Sequence, residues 1–119
     1  VDVVRDPDSD IVLSEVWTLD GQLHRWDGPA SVTRDHVTGH VIEEVWARYG
    51  KHHREDGPAL ISRDPQSGQV MQEFWAQEGQ NHREIRPAVI FYDHDGKIVE
   101  ERWFLHGKRI DSAEPDMEI

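Results

Sequence analysis

The chain has 119 residues, with 13 lysines and arginines against 24 aspartates and glutamates, for a formal charge of −11. That length suits one domain, and the lack of cysteine removes disulfides, thiolate zinc sites and cysteine nucleophiles. So acidic a chain repels nucleic acid and anionic lipid, both polyanions, and favours a basic protein partner.

In chain order, the first clear element runs from Val12 to Leu19, rich in β-branched and aromatic residues, and reads as a strand. Asp20-Gly21 follows as a tight hairpin turn, since glycine accepts the positive φ that such turns need. Beyond His24-Arg25 and Trp26, Asp27-Gly28-Pro29-Ala30 marks a bend, and proline, lacking an amide donor, belongs at a strand start or bend. A second strand from Ala30 to Asp35 ends in a loop carrying Gly39. The series then repeats. Strands are expected at Val41–Arg48, Val70–Gln77 and Ile98–Leu105, and shorter ones at Ala59–Asp64 and Ala88–Asp93. No window holds a 3.6-residue apolar period. The expected fold is all-β: an antiparallel meander of repeated hairpins in one domain spanning residues 1–119.

The repeat is anchored by Trp17, Trp46, Trp75 and Trp103, spaced 29, 29 and 28 apart, each two residues after Glu15, Glu44, Glu73 or Glu101 and four before Gly21, Gly50, Gly79 or Gly107. Arg5-Asp6 lies 29 before Arg34-Asp35, so about three full repeats are flanked by half-repeats. A turn centred on Asp20 and Gly21 sets Trp17 opposite His24, and the same count sets Trp46 opposite His53, Trp75 opposite His82 and Trp103 opposite Ile110. Isoleucine can replace a packing partner but not a metal ligand or a general base. His24, His53 and His82 therefore read as structural, and the Trp stripe reads as core. The repeated glutamates read as bridged to a repeat arginine: Arg34 and Arg63, or the His-Arg arginines Arg25, Arg54 and Arg83.

Sites are sought where the repeat breaks. Trp26 is replaced by Glu55 and Glu84 in the later copies, and Ile85-Arg86 stands where Asp-Gly is expected. These residues (Trp26, Glu84, Ile85 and Arg86) are candidate partner contacts, together with acids that the repeat leaves unexplained at either end: Asp8, Asp10, Asp111 and Glu114. No serine sits in a nucleophile elbow and no glycine-rich phosphate loop is present. His36 and His40 flank one loop and could share an ion with a carboxylate, but no dedicated metal site, cofactor or enzymatic activity is expected. No basic, apolar-cored leader opens the sequence and no apolar run approaches the roughly 20 residues that cross a bilayer, so a cytoplasmic location is expected.

The pattern Trp-x-x-x-Gly-x-x-His-Arg-x-Asp-Gly-Pro-Ala, present as Trp17–Ala30 and Trp46–Ala59, resembles the MORN-variant repeats of bacterial and large-virus proteins. The resemblance spans about residues 11–110. It implies an elongated, twisted, mostly single-layer sheet serving as an interaction scaffold, with antitoxin-like or immunity-like bacterial relatives. The expected function is thus a non-enzymatic acidic module that inhibits a basic partner such as a nuclease, in one variant by mimicking nucleic acid. The alternatives are an assembly scaffold, or a metal- or carbohydrate-binding module using the histidine or tryptophan ladder.

Overall fold

The computed structural model describes residues 1–110, which form strands and turns and no helix. The candidate contacts Asp111 and Glu114 lie outside the described residues. Strand β1 (Asp2–Arg5) is followed in the first repeat by β2 (Val12–Val16), β3 (Thr18–Leu19), β4 (Gln22–Leu23) and β5 (Ser31–Arg34). The second repeat supplies β6 (Val41–Val45), β7 (Ala47–Arg48), β8 (Lys51–His52) and β9 (Leu60–Arg63). The third supplies β10 (Val70–Phe74), β11 (Ala76–Gln77), β12 (Gln80–Asn81) and β13 (Val89–Tyr92), and β14 (Ile98–Leu105) and β15 (Lys108–Ile110) complete the described chain. Nine strands form one antiparallel sheet in the order β1-β2-β5-β6-β9-β10-β13-β14-β15, while β3-β4, β7-β8 and β11-β12 are separate two-stranded hairpins. The molecule measures 61 × 39 × 17 Å, and the nine strands belong to one open sheet.

The expected strands Val12–Leu19, Val41–Arg48 and Val70–Gln77 are each broken at their tryptophan; only Ile98–Leu105 runs unbroken. The cause is a change of partner. Trp17 donates its amide to Ala30 O at 2.7 Å, inside the large sheet, and its own carbonyl accepts from His24 N at 3.0 Å, inside the hairpin. Each of these three tryptophans is therefore the hinge at which the chain leaves the sheet. A second irregularity recurs within the sheet: Leu13, Ile42, Met71 and Val99 are each skipped by the strand register. These extra residues are bulges, which strengthen the right-handed twist of the ribbon.

The meander topology sorts its turns onto two edges. At one edge lie the loops that begin at Asp6, Asp35, Asp64 and Asp93. Each of these carboxylates accepts two backbone amides two to four residues ahead, as in Asp35 with Val37 N at 3.0 Å and Thr38 N at 2.8 Å. These bonds hold the Asp35 and Asp64 carboxyls below the usual carboxylate range. At the other edge lie the hairpin turns and the bends. Asp20, Tyr49, Glu78 and His106 all carry left-handed φ values of 48–52°, each followed by a glycine at 79–81°, the pairing that a two-residue hairpin requires.

The core is built from small residues. Ala30, Ala59 and Ala88 are wholly buried at the sheet–hairpin junction, with Ala47 and Ala76 beside them and Val32, Ile61 and Ile90 recurring across the sheet. The tryptophans expected there are only half-buried. The guanidinium carbons of Arg25, Arg54 and Arg83 lie 4.0, 3.8 and 3.7 Å from the ring centroids of Trp17, Trp46 and Trp75, so the lid on each indole is the arginine of the His-Arg pair. Glu15 and Glu44 are bridged by Arg34 at 2.8 Å and Arg63 at 2.6 Å. In the third copy Tyr92 takes the arginine's place and donates its hydroxyl to Glu73 at 2.9 Å; burial and that carboxylate push the phenol up to about 12.

Candidate functional site

The edge that carries the hairpins and bends is built by the histidines. The buried rings of His24, His53 and His82 accept hydrogen bonds at Nδ1 from the backbone amides of Tyr49, Glu78 and His106, at 3.0, 3.0 and 2.8 Å. Each donor is the left-handed turn residue of the following repeat. The next glycine donates in turn to the preceding hairpin, Gly50 N to Leu23 O at 2.8 Å and Gly79 N to His52 O at 2.9 Å. The hairpins thus climb as a staircase along the ribbon. The rings packed on His24 are Trp26 and Tyr49, at 4.8 and 4.4 Å between centroids, rather than the expected Trp17. Ile110 holds the fourth equivalent place, and among the described residues no later turn amide needs an acceptor there.

Accepting at Nδ1 requires that nitrogen to be unprotonated. Burial and the neighbouring His106 hold His82 below its ordinary 6.5. The unfolded chain therefore binds more protons than the folded one at mildly acid pH, and stability contributed by His82 is complete above 6.5 and is lost as pH falls through its lower folded value. Urea midpoints measured between about pH 7.5 and 5 are expected to drop, and the drop is expected to shrink in His82→Asn. An equal drop in that variant would remove His82 as the cause.

Between successive bends lie two clefts. The first, about 340 Å³, is lined by Arg25, Trp26, Asp27, Trp46, Arg48, His53, Arg54, Glu55 and Asp56. The second, about 320 Å³, is lined by Glu55, Trp75, Gln77, His82, Arg83, Glu84, Ile85 and Arg86. The two share Glu55. Trp26 is 58% exposed and Tyr49 55% exposed, and their rings meet edge-on at 5.9 Å. Arg48 lies over Trp26 at 4.7 Å and reaches Glu55 at 3.8 Å.

The charges of this edge are sorted by depth. The Arg25 and Arg54 side chains are only 26% and 22% exposed, stacked on tryptophan and bonded to the carbonyls of Pro29 and Pro58. Their partners Asp27 and Asp56 are 87% and 89% exposed. The bend geometry enforces this, because the guanidinium occupies the space over a glycine: a Cβ on Gly28 or Gly57 would stand 2.9 or 2.6 Å from the arginine Cζ. The third copy carries Arg86 at that position and escapes the clash by another backbone path. Ile85 adopts a φ of 55°, whereas its counterparts Asp27 and Asp56 do not have positive φ. A β-branched residue is strained in that region, and Ile85 is also 71% exposed. Arg83, deprived of an aspartate neighbour, is held below the usual arginine range by burial and by Arg86, although Glu73 opposes the shift.

Of the candidate contacts read from the sequence, Trp26 lines the first cleft and Glu84, Ile85 and Arg86 line the second, which brings them to one edge. Asp8 and Asp10 belong to the opposite edge, where Asp10 takes a φ of 64° beside Arg5 at 3.8 Å. Arg48, Tyr49 and Glu55 were not among the candidate contacts. The available signal was a tyrosine at a turn position that demands left-handed φ. His40 Nδ1 is engaged by Pro65 O at 3.1 Å, and the described residues contain no cluster of three or more potential metal ligands. No protein-family model matches the chain, and neither a curated protein nor a solved structure matches it.

Proposed function

We propose that the chain is a non-enzymatic protein-binding module whose bend edge captures a basic partner, and that it acts as an immunity-like or antitoxin-like inhibitor of an enzyme such as a nuclease. The observation that carries the reading is the depth sorting of charge. Arginines are spent inside on tryptophan and carbonyl groups while Asp27, Asp56 and Glu78 point outward around the exposed Trp26. An exposed aromatic with exposed carboxylates beside it suits a cationic surface. The resemblance to MORN-variant repeats supports the scaffold part of the reading.

Capture on the immobilised chain, followed by mass spectrometry at low and high salt, is the direct test. Basic proteins are expected at low salt, with association rates falling steeply as salt rises and with binding weakened by Trp26→Ala. A neutral or acidic set of captured proteins, or an association rate indifferent to salt, would sink the reading. An assembly role has one observation in its favour. The edge strand β1 is exposed throughout, with Val3 and Val4 among its exposed side chains, and open edges pair readily. Light scattering decides that question: a mass that stays monomeric with rising concentration removes it.

A further inference from the structure

We infer that the outer sides of β1 and β14 are complementary and that copies of this chain join through them head to tail, with Asp2, Val3 and Val4 of one copy opposite Arg102, Glu101 and Glu100 of the next. This gives the assembly reading a strand pair and a register, and it does not depend on capture at the bend edge.

Within the repeat, a strand such as β5 has two kinds of neighbour. It pairs with β6 across a bulge, and with β2 in a regular register that sets Ser14, Glu15 and Val16 opposite Thr33, Val32 and Ser31. Strand β1 is a copy of β5: Arg5-Asp6 precedes Arg34-Asp35 by 29 residues, and β1 pairs with β2 across the same bulge. Strand β14 is a copy of β2 and β6: it pairs with β13 across a bulge, while β15 takes only Trp103, Phe104 and Leu105. Among the described residues no strand lies on the outer side of β1 or beside residues 98–102 of β14. The neighbour that each strand would have inside the repeat is a strand of the other's kind.

The side chains agree. Val3 is 45% exposed, whereas its counterparts Val32, Ile61 and Ile90 are buried. Across the regular pairs Arg34 reaches Glu15 and Arg63 reaches Glu44, each 19 residues back. Arg5 and Glu101 hold the same places in β1 and β14. Arg5 meets only Asp10, whose carboxylate is 3.8 Å away, and Glu101 is exposed and in no ion pair among the described residues. In the regular register Glu101 falls opposite Val3, as Glu15 does opposite Val32. Arg5, two residues on and on the same face, then reaches Glu101 diagonally as Arg34 reaches Glu15. Asp2 falls opposite Arg102, a second pair of unlike charge. Pairing like with like serves these groups less well. With Val3 opposite its own copy, Arg5 faces Val1, and β14 against itself sets Glu100 or Glu101 opposite its own copy. A head-to-tail contact does not close on itself, so the joined copies extend the ribbon. Val1 stands where Ala30, Ala59 and Ala88 are wholly buried, and is itself exposed. The alanine hinge is therefore not reproduced at the joint, and the association is reversible.

Sedimentation velocity of the chain from roughly 1 μM to 1 mM makes the test. The average mass is expected to rise past that of a dimer without a plateau. Arg5→Glu and Glu101→Arg are each expected to weaken association about tenfold, because a favourable diagonal pair becomes a repulsive one. Both residues are exposed, and an unchanged melting temperature shows that the variants are folded. An equimolar mixture of the two variants, and the chain carrying both changes, are expected to regain the parent's association, since each joint again holds one acid and one base. Trp26→Ala is expected to leave association unchanged. A mass that stays at one chain throughout overturns the inference, and leaves the bend-edge reading intact if basic proteins are still captured. A closed dimer, or association untouched by Glu101→Arg, assigns the contact to β1 against its own copy and overturns it too. A mixture that fails to recover shows that the two charges do not meet across the joint, which overturns the register.

Discussion

His53→Ala is expected to lower stability by about 2 kcal/mol, because it removes an acceptor and a buried ring together. The ring joins one repeat to the next through the Glu78 amide at 3.0 Å, so the loss falls on the contact between repeats and not on one hairpin. Two companions separate the causes. His53→Phe keeps the ring and strands the amide, and is expected to cost about 1–2 kcal/mol. His53→Asn restores an acceptor near the Nδ1 position and is expected to be more stable than His53→Ala. Urea denaturation followed by tryptophan fluorescence measures all three. A His53→Phe protein as stable as the parent would show that packing alone matters there.

Ala59→Leu is expected to cost more, about 3 kcal/mol, which is a large part of the roughly 5–15 kcal/mol typical of a whole domain. Ala59 has no exposed surface. Its amide donates to Phe74 O at 2.8 Å and its carbonyl accepts from Trp46 N at 2.7 Å, so the backbone at the sheet–hairpin hinge is tied on both sides. Extra carbon atoms there must push apart either the hinge or the neighbouring strand. The urea midpoint is expected to fall with an unchanged slope, the sign of lost stability without a change in exposed surface. Ala59→Gly, which only loosens the backbone, is expected to cost about 1 kcal/mol. If leucine proves no worse than glycine, the junction has slack that its burial does not suggest.

Much of this fold is legible in local chemistry. The Asp-Gly turn at residues 20–21 and its copies and the prolines of the bends each act within a few residues of themselves, and a linear reading finds them. The 29-residue period then dictates that whatever one unit does its neighbours repeat. The meander follows, and so does the presence of Trp26 and Ile85-Arg86 as places where the pattern is broken. The bulges at Leu13, Ile42, Met71 and Val99 were not legible, since an extra residue in a strand carries no turn chemistry and shows only in the register across strands. The split of the first three long strands at their tryptophans was hidden for the same reason.

Which group covers which is settled only by folding. Along the chain His24 and Arg25 are equally near Trp17, and the hairpin register favours the histidine. In the folded chain Arg25 lies on the indole and His24 turns to the next repeat to take the Tyr49 amide. The physical reason is that the turn amide of Tyr49 finds its acceptor 25 positions back, in the neighbouring repeat, which only the folded sheet brings within reach. That same choice draws arginine inward and leaves Asp27 and Asp56 at the surface. Local residue chemistry and the repeat period are enough to specify an acidic, repeating ribbon. That the acid faces out around Trp26 follows from tertiary contacts, because the arginines are consumed in holding the ribbon together.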